Sequence, residues 1–129
     1  MKLSTSRLIL FFAIVPLMSC TKKNGIDNSN PVISIVTPTQ NDTLTSKEVA
    51  IQFKVTDNES LSTETLSILD ENNKTLFSET KSIFGTSYSY SNSIEIGGTN
   101  QTKKLTIKVV CSDNASNTET STTQFWVKI

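Results

Sequence analysis

The chain of 129 residues reads as an all-β protein, a Greek-key sandwich of about seven strands. Three observations predict this. Apolar side chains recur at every second position, most plainly at Val49, Ile51, Phe53 and Val55, with Ala50, Gln52 and Lys54 between them. That period puts one face of a strand on a core and the other in water. Similar runs recur along the chain, separated by clusters of Asn, Asp, Ser and Gly that favour turns. No window from Val32 onward carries the 3.6-residue period of an amphipathic helix.

The strands are expected in the following order. Val32, Ile33, Ile35 and Val36 form a short apolar stretch that Pro38 ends, with the turn residues Gln40, Asn41 and Asp42 after it. The Val49–Val55 alternation follows. Leu66 and Ile68, with Asp70 continuing the period, give the third strand, and Asp70-Glu71-Asn72-Asn73 the next turn. Thr75-Leu76-Phe77 opens the fourth. Tyr88, Tyr90, Asn92, Ile94 and Ile96 line one face of the fifth, which Gly97-Gly98 ends. Leu105, Ile107, Val109 and Cys111 line the sixth; Thr123, Phe125, Val127 and Ile129 line the last.

The first 20 residues have another character. Lys2 and Arg7 precede an apolar run from Leu8 to Met18. Eleven residues suit the hydrophobic region of a secretory signal, whereas a membrane-spanning helix needs about 20. Leu17-Met18-Ser19-Cys20 resembles a bacterial lipobox: an aliphatic residue, a tolerant position, a small residue, then cysteine. The resemblance implies cleavage before Cys20 and acylation of that cysteine. Several acyl chains, at about 0.8 kcal/mol per buried methylene, make a lasting anchor. The expected organisation is a signal peptide over 1–19, a lipidated Cys20 with a flexible polar tether over 20–31, and a domain over 32–129. Lys22 and Lys23 stand where Bacteroidetes-type lipoproteins destined for the cell surface carry acidic residues. This favours the periplasmic side of the outer membrane, with the cell surface as the alternative.

The domain also resembles a family. PVISIVTP at 31–38, VTDN at 55–58, VVCSDNASN at 109–117 and FWVKI at 125–129 are similar to bacterial immunoglobulin-like and cadherin-like domains. Such domains carry an Asp-x-Ala-Gly-Asn turn before the last strand; Ser116 replaces that glycine here. The resemblance implies an immunoglobulin-like sandwich and no particular activity. A family of single-domain Bacteroidetes lipoproteins shares this layout.

Composition narrows the function. After Cys20 becomes the first residue, the chain holds ten lysines and no arginine against twelve acidic residues, a net of −2. A nucleic-acid binder would show a basic face. The chain contains no histidine, which removes the commonest general base and a common metal ligand. Cys111 shares the core face of its strand, and without a base no catalytic thiolate is expected. The acidic residues Glu48, Glu64, Glu79 and Glu95 read as solvated charge. No catalytic residue is assigned, and an enzyme is not expected.

Three features remain as binding candidates. Asp57, Asn58 and Glu59 follow the second strand, and Asp113, Asn114 and Asn117 follow the sixth. In a seven-strand sandwich both loops lie at one end, so their oxygens have the chemistry of a Ca²⁺ shell, although Asx turns account for the same residues without an ion. No cofactor is expected, apart from a Ca²⁺ ion at these two loops. Trp126 is expected to point outward, where it has the surface to contact a sugar ring or a protein. Asp42-Thr43-Leu44 resembles the O-glycosylation site of exported Bacteroidetes proteins, with Thr43 as acceptor. The functional expectation is a lipid-anchored, non-catalytic module that binds a protein or glycan. The alternatives are a structural accessory of an outer-membrane complex and a glycan-binding module of a polysaccharide-uptake system.

Overall fold

The computed structural model describes residues 25–97 and 101–128. The expected signal peptide, Cys20, Lys22 and Lys23 lie outside them, as do Gly98 and Ile129. Eight strands form: β1 (Val32–Thr37), β2 (Thr43–Leu44), β3 (Glu48–Thr56), β4 (Leu61–Leu69), β5 (Thr75–Ser82), β6 (Ser87–Glu95), β7 (Lys103–Asp113) and β8 (Thr118–Val127). They make two sheets, ordered β1-β3-β6 and β2-β8-β7-β4-β5. Every pairing is antiparallel except β2 with β8. The chain crosses between sheets after β1, β2, β3, β5 and β6, which gives the expected all-β sandwich.

The strand beyond the expected seven is β2. Its two residues carry no readable periodicity, and backbone bonds position it. Trp126 and Lys128 donate their amides to the carbonyls of Asp42 and Leu44. Thr43, next to the expected turn at Gln40–Asp42, therefore lies on a short strand, with its side chain exposed.

The period-two residues fill the space between the sheets. Val49, Ile51, Phe53 and Val55 of β3 face Leu105, Ile107, Val109 and Cys111 of β7, with Leu66, Ile68, Phe125 and Val127 in the same cluster. Burying a side chain of this size stabilises by about 1.5–3 kcal/mol. Phe53 stacks on Tyr90, their rings 4.8 Å apart and 7° from parallel. Cys111 is a free, buried thiol, and burial pushes its pKa up to about 11.

One expected exposure is wrong. Glu64 is fully buried, not solvated. The β4–β7 register slips between Leu61 and Thr63. A bulge shifts the side-chain phase by one residue. Leu61 and Glu64 therefore both point inward, although three residues apart, and Glu64 then keeps phase with Leu66 and Ile68.

Candidate functional site

One end of the sandwich gathers the entry into β1 and the β3–β4, β5–β6 and β7–β8 connections. Val32 and Ser87 both pair with Thr56, and Leu61 pairs with Asp113, so the four segments begin or end together. Each acidic loop here is built around an aspartate side chain. The Asp57 Oδ2 accepts the amides of Glu59 and Ser60, both at 2.9 Å. The Asp113 Oδ1 accepts the Asn117 amide at 2.7 Å, and its Oδ2 accepts the Asn117 side-chain amide at 2.6 Å. These are Asx turns, and they explain why aspartate follows each strand. Ser116 adopts φ 72°, the left-handed conformation that the glycine of the related turn would take without strain.

A third carboxylate comes from the polar segment before β1. From Asp27 onward that segment is tied to the sandwich. Asn58 donates to the Asp27 Oδ1 at 3.0 Å, and Asn117 donates to its carbonyl at 3.0 Å. Pro31 is fully buried. The backbone amide of Ser29, then the Asn58 amide, hold the Asp27 carboxyl below its ordinary pKa. One carboxylate oxygen each of Asp27, Asp57 and Asp113 lies within 4.8 Å of the others. Two oxygens on opposite sides of one Ca²⁺ stand about 5 Å apart, so the three fit a single coordination sphere. The Asp57 Oδ1 is shut off from solvent and has no hydrogen-bond partner.

Of the six expected cation residues, Asp57 and Asp113 join this cluster. Asn58 and Asn117 border it through Asp27, and turning either amide over would present an oxygen in place of the NH₂ group. Glu59 and Asn114 do not join. The Glu59 side chain is exposed, and the Asn114 amide donates to Ser60 Oγ at 3.0 Å. Asp27 was missed. Its one sequence signal is an acidic residue just before a strand that starts at the loop-bearing end.

The remaining candidates lie toward the other end. Trp126 points outward, opposite Lys104 on β7 and beside Thr43 on β2. Near it, a cleft of about 250 Å³ is bordered by Asp70, Leu76, Glu95, Ile96, Lys103 and Val127. That is below the 300–1,000 Å³ usual for a small-molecule site.

Glu64 is the other unusual group. Neither of its oxygens meets a donor at hydrogen-bonding geometry. Burial raises its pKa to about 7; the Lys81 ammonium opposes the shift, Glu79 adds to it, and the Tyr88 hydroxyl opposes it. Lys81 pairs with Glu79 at 3.0 Å and sits 4.8 Å over the Tyr90 ring. These groups come from β4, β5 and β6, the strands along one open side of the sandwich. No substrate reaches Glu64, because the residue has no exposed surface.

No family model matches the chain, and no curated protein matches it. Among solved structures it is similar to a catalytically inactive OgpA from Akkermansia muciniphila, crystallised with an O-glycopeptide substrate, at TM-score 0.52 and 12% identity over 83% of this chain and 32% of that one. It is also similar to CopC from Methylosinus trichosporium OB3b, at TM-score 0.48 and 16% identity over 75% and 94% of the two chains. An engineered protein matches at TM-score 0.49 and 14% identity, over 78% of this chain and 20% of its own. At these identities the OgpA likeness shows a shared β-sandwich and nothing of chemistry.

Proposed function

We propose that this chain is a lipid-anchored, exported, non-catalytic binding module, and that a hard divalent cation, Ca²⁺ foremost, clamps its tether to the sandwich. One observation carries the cation reading. Carboxylates from three separate segments, Asp27, Asp57 and Asp113, converge within 4.8 Å, and one of their oxygens, the Asp57 Oδ1, is buried without a partner. An ion there would satisfy that oxygen and offset the mutual repulsion of the three charges. Joining Asp27 to two loops would fix the domain relative to whatever the tether is attached to.

The non-catalytic reading rests on the groups present. The chain has no histidine. Among the described residues the one cysteine, Cys111, is buried with a pKa near 11, so it carries almost no thiolate at neutral pH. The one strongly shifted carboxyl among the described residues, Glu64, is walled off from solvent.

Thermal melting with added Ca²⁺ tests the clamp. An ion at about ten times its Kd adds roughly 1.4 kcal/mol, and a midpoint rise of roughly 5–10 °C is expected for a domain of this size. Asp27→Asn keeps an Oδ1 to accept the Asn58 amide and relieves the repulsion, so the midpoint without Ca²⁺ should hold or rise slightly, and most of the Ca²⁺ rise should be lost. No rise at millimolar Ca²⁺ would sink the clamp. An equal rise in Asp27→Asn would exclude the tether residue from it.

A further inference from the structure

We propose that the loop-bearing end of the sandwich is a membrane-docking surface, with Ile26 and Phe84 seated in the bilayer interface. Ile26 and Phe84 are 86% and 80% exposed, the most exposed large apolar side chains among the described residues. Both belong to this end. Ile26 adjoins Asp27. Phe84 sits at the tip of the β5–β6 connection, before Gly85 at φ 78°. That tip is braced: Leu61 donates to the Gly85 carbonyl at 2.8 Å, Asp57 to the Thr86 carbonyl at 3.0 Å, and Ile83 to the Ser62 carbonyl at 2.9 Å. The brace holds the ring out in water, as apolar surface that a partner or a bilayer can cover. Val32, at the start of β1, lies at the same end and is 64% exposed.

The chain before residue 25 says what covers it. The described polypeptide enters at this end, and the 24 preceding residues include the Leu8–Met18 apolar run and Cys20. Six residue steps separate Cys20 from Ile26, and an extended chain spans at most about 22 Å over that length. With a lipid on Cys20, the bilayer surface cannot be farther than that from Ile26. This inference rests on the anchor reading. Aromatic and aliphatic side chains at such a boundary seat at headgroup depth.

The test uses the sequence's single tryptophan as an internal control. Trp126 lies eight residues beyond Thr118 along β8, about 27 Å from the docking end. The full-length protein would be purified from membranes and reconstituted into zwitterionic phosphatidylcholine vesicles, so that the acidic end meets no opposing charge. Phe84→Trp in a Trp126→Phe background reports from the tip; the unchanged protein reports from the far end. Brominated lipid is expected to quench the residue-84 fluorescence roughly twofold and leave Trp126 almost unaffected. An unquenched residue 84, or stronger quenching at Trp126, overturns the docking. Intact mass at Cys20 is read on the same sample. A lipidated Cys20 without quenching at residue 84 rejects the docking alone. Quenching with an unlipidated Cys20 rejects the anchor and upholds the docking. With neither, both fail. Retention of a co-purified protein that shields residue 84 from bromine would assign the surface to a protein and overturn the bilayer.

Discussion

Glu64 makes the stability of this domain depend on pH with an unusual sign. In the unfolded chain the carboxyl titrates near its ordinary 4.5; in the fold it titrates near 7. Between those values the native state holds a proton that the unfolded state has released. Stability therefore falls as pH rises through this window, and is flat on either side as far as Glu64 is concerned. A shift of this size corresponds to roughly 3 kcal/mol, a large fraction of the 5–15 kcal/mol that holds a domain together. Lys81 stands across from Glu64 on β5 and Cys111 on β7, and neither donates a hydrogen bond to it. The assay is urea unfolding between pH 4.5 and 8, followed by Trp126 fluorescence. The midpoint is expected to fall by roughly 1–3 M urea over that range, from the usual slope of 1–3 kcal/mol per M. Glu64→Leu removes the ionisable group and keeps an apolar core, so its midpoint should be nearly constant and exceed the unchanged protein's at pH 8. Glu64→Gln should also lose the pH slope but gain less, because an unpartnered buried amide costs about 1–3 kcal/mol. A stability that is flat or rising from pH 4.5 to 8, or a slope that survives in Glu64→Leu, would refute the burial argument.

Three further outcomes follow from the same geometry. Phe125→Ala should destabilise by about 3–5 kcal/mol in urea unfolding, because the ring is fully buried between the sheets. Ser116→Gly should raise the midpoint by roughly 1 kcal/mol equivalent, by relieving a left-handed backbone that costs a residue with a Cβ about 1–2 kcal/mol. Thiol titration with an aromatic disulfide should find Cys111 unreactive in the native protein, since it is buried with a raised pKa. In denaturant one reactive thiol is expected if Cys20 is a thioether; two would reject lipidation.

Period-two hydrophobicity made most of the sandwich legible, because a strand with one wet face must alternate. Val49 to Val55 and Leu105 to Cys111 were readable residue by residue. Three features were not, each for a physical reason. β2 pairs through backbone amides alone, and two residues have no period. Glu64 shares the inward phase of Leu66 and Ile68, but a carboxylate there reads as the wet end of a strand; the bulge between Leu61 and Thr63 turns Leu61 inward as well and carries the buried stretch past it. Asp27 lay in a segment that reads as tether, and its attachment depends on side-chain amides 31 and 90 residues away. The Asx-turn aspartates were legible, since a short carboxylate after a strand organises its own loop. Convergence with a third aspartate was not, because it depends on how the chain enters β1.

The two proposals for the loop-bearing end constrain one another. Asp27, Asp57 and Asp113 concentrate negative charge beside Ile26 and Phe84, and an anionic bilayer would repel that end. A bound divalent cation would cancel most of this charge and fix Ile26 through its neighbour Asp27. Clamping and docking should therefore be coupled on anionic lipid and nearly independent on zwitterionic lipid. The measurement is quenching at residue 84 in vesicles rich in phosphatidylglycerol, with Ca²⁺ or a chelator. Quenching is expected to rise with Ca²⁺ in the protein that keeps Asp27 and to stay low in Asp27→Asn. An equal Ca²⁺ response in both proteins would mean that the ion acts on the lipid and not through the aspartates. If the coupling holds, the far end, with Trp126, Thr43 and the cleft between Asp70 and Lys103, is the face turned away from the membrane, and partner-binding substitutions belong there.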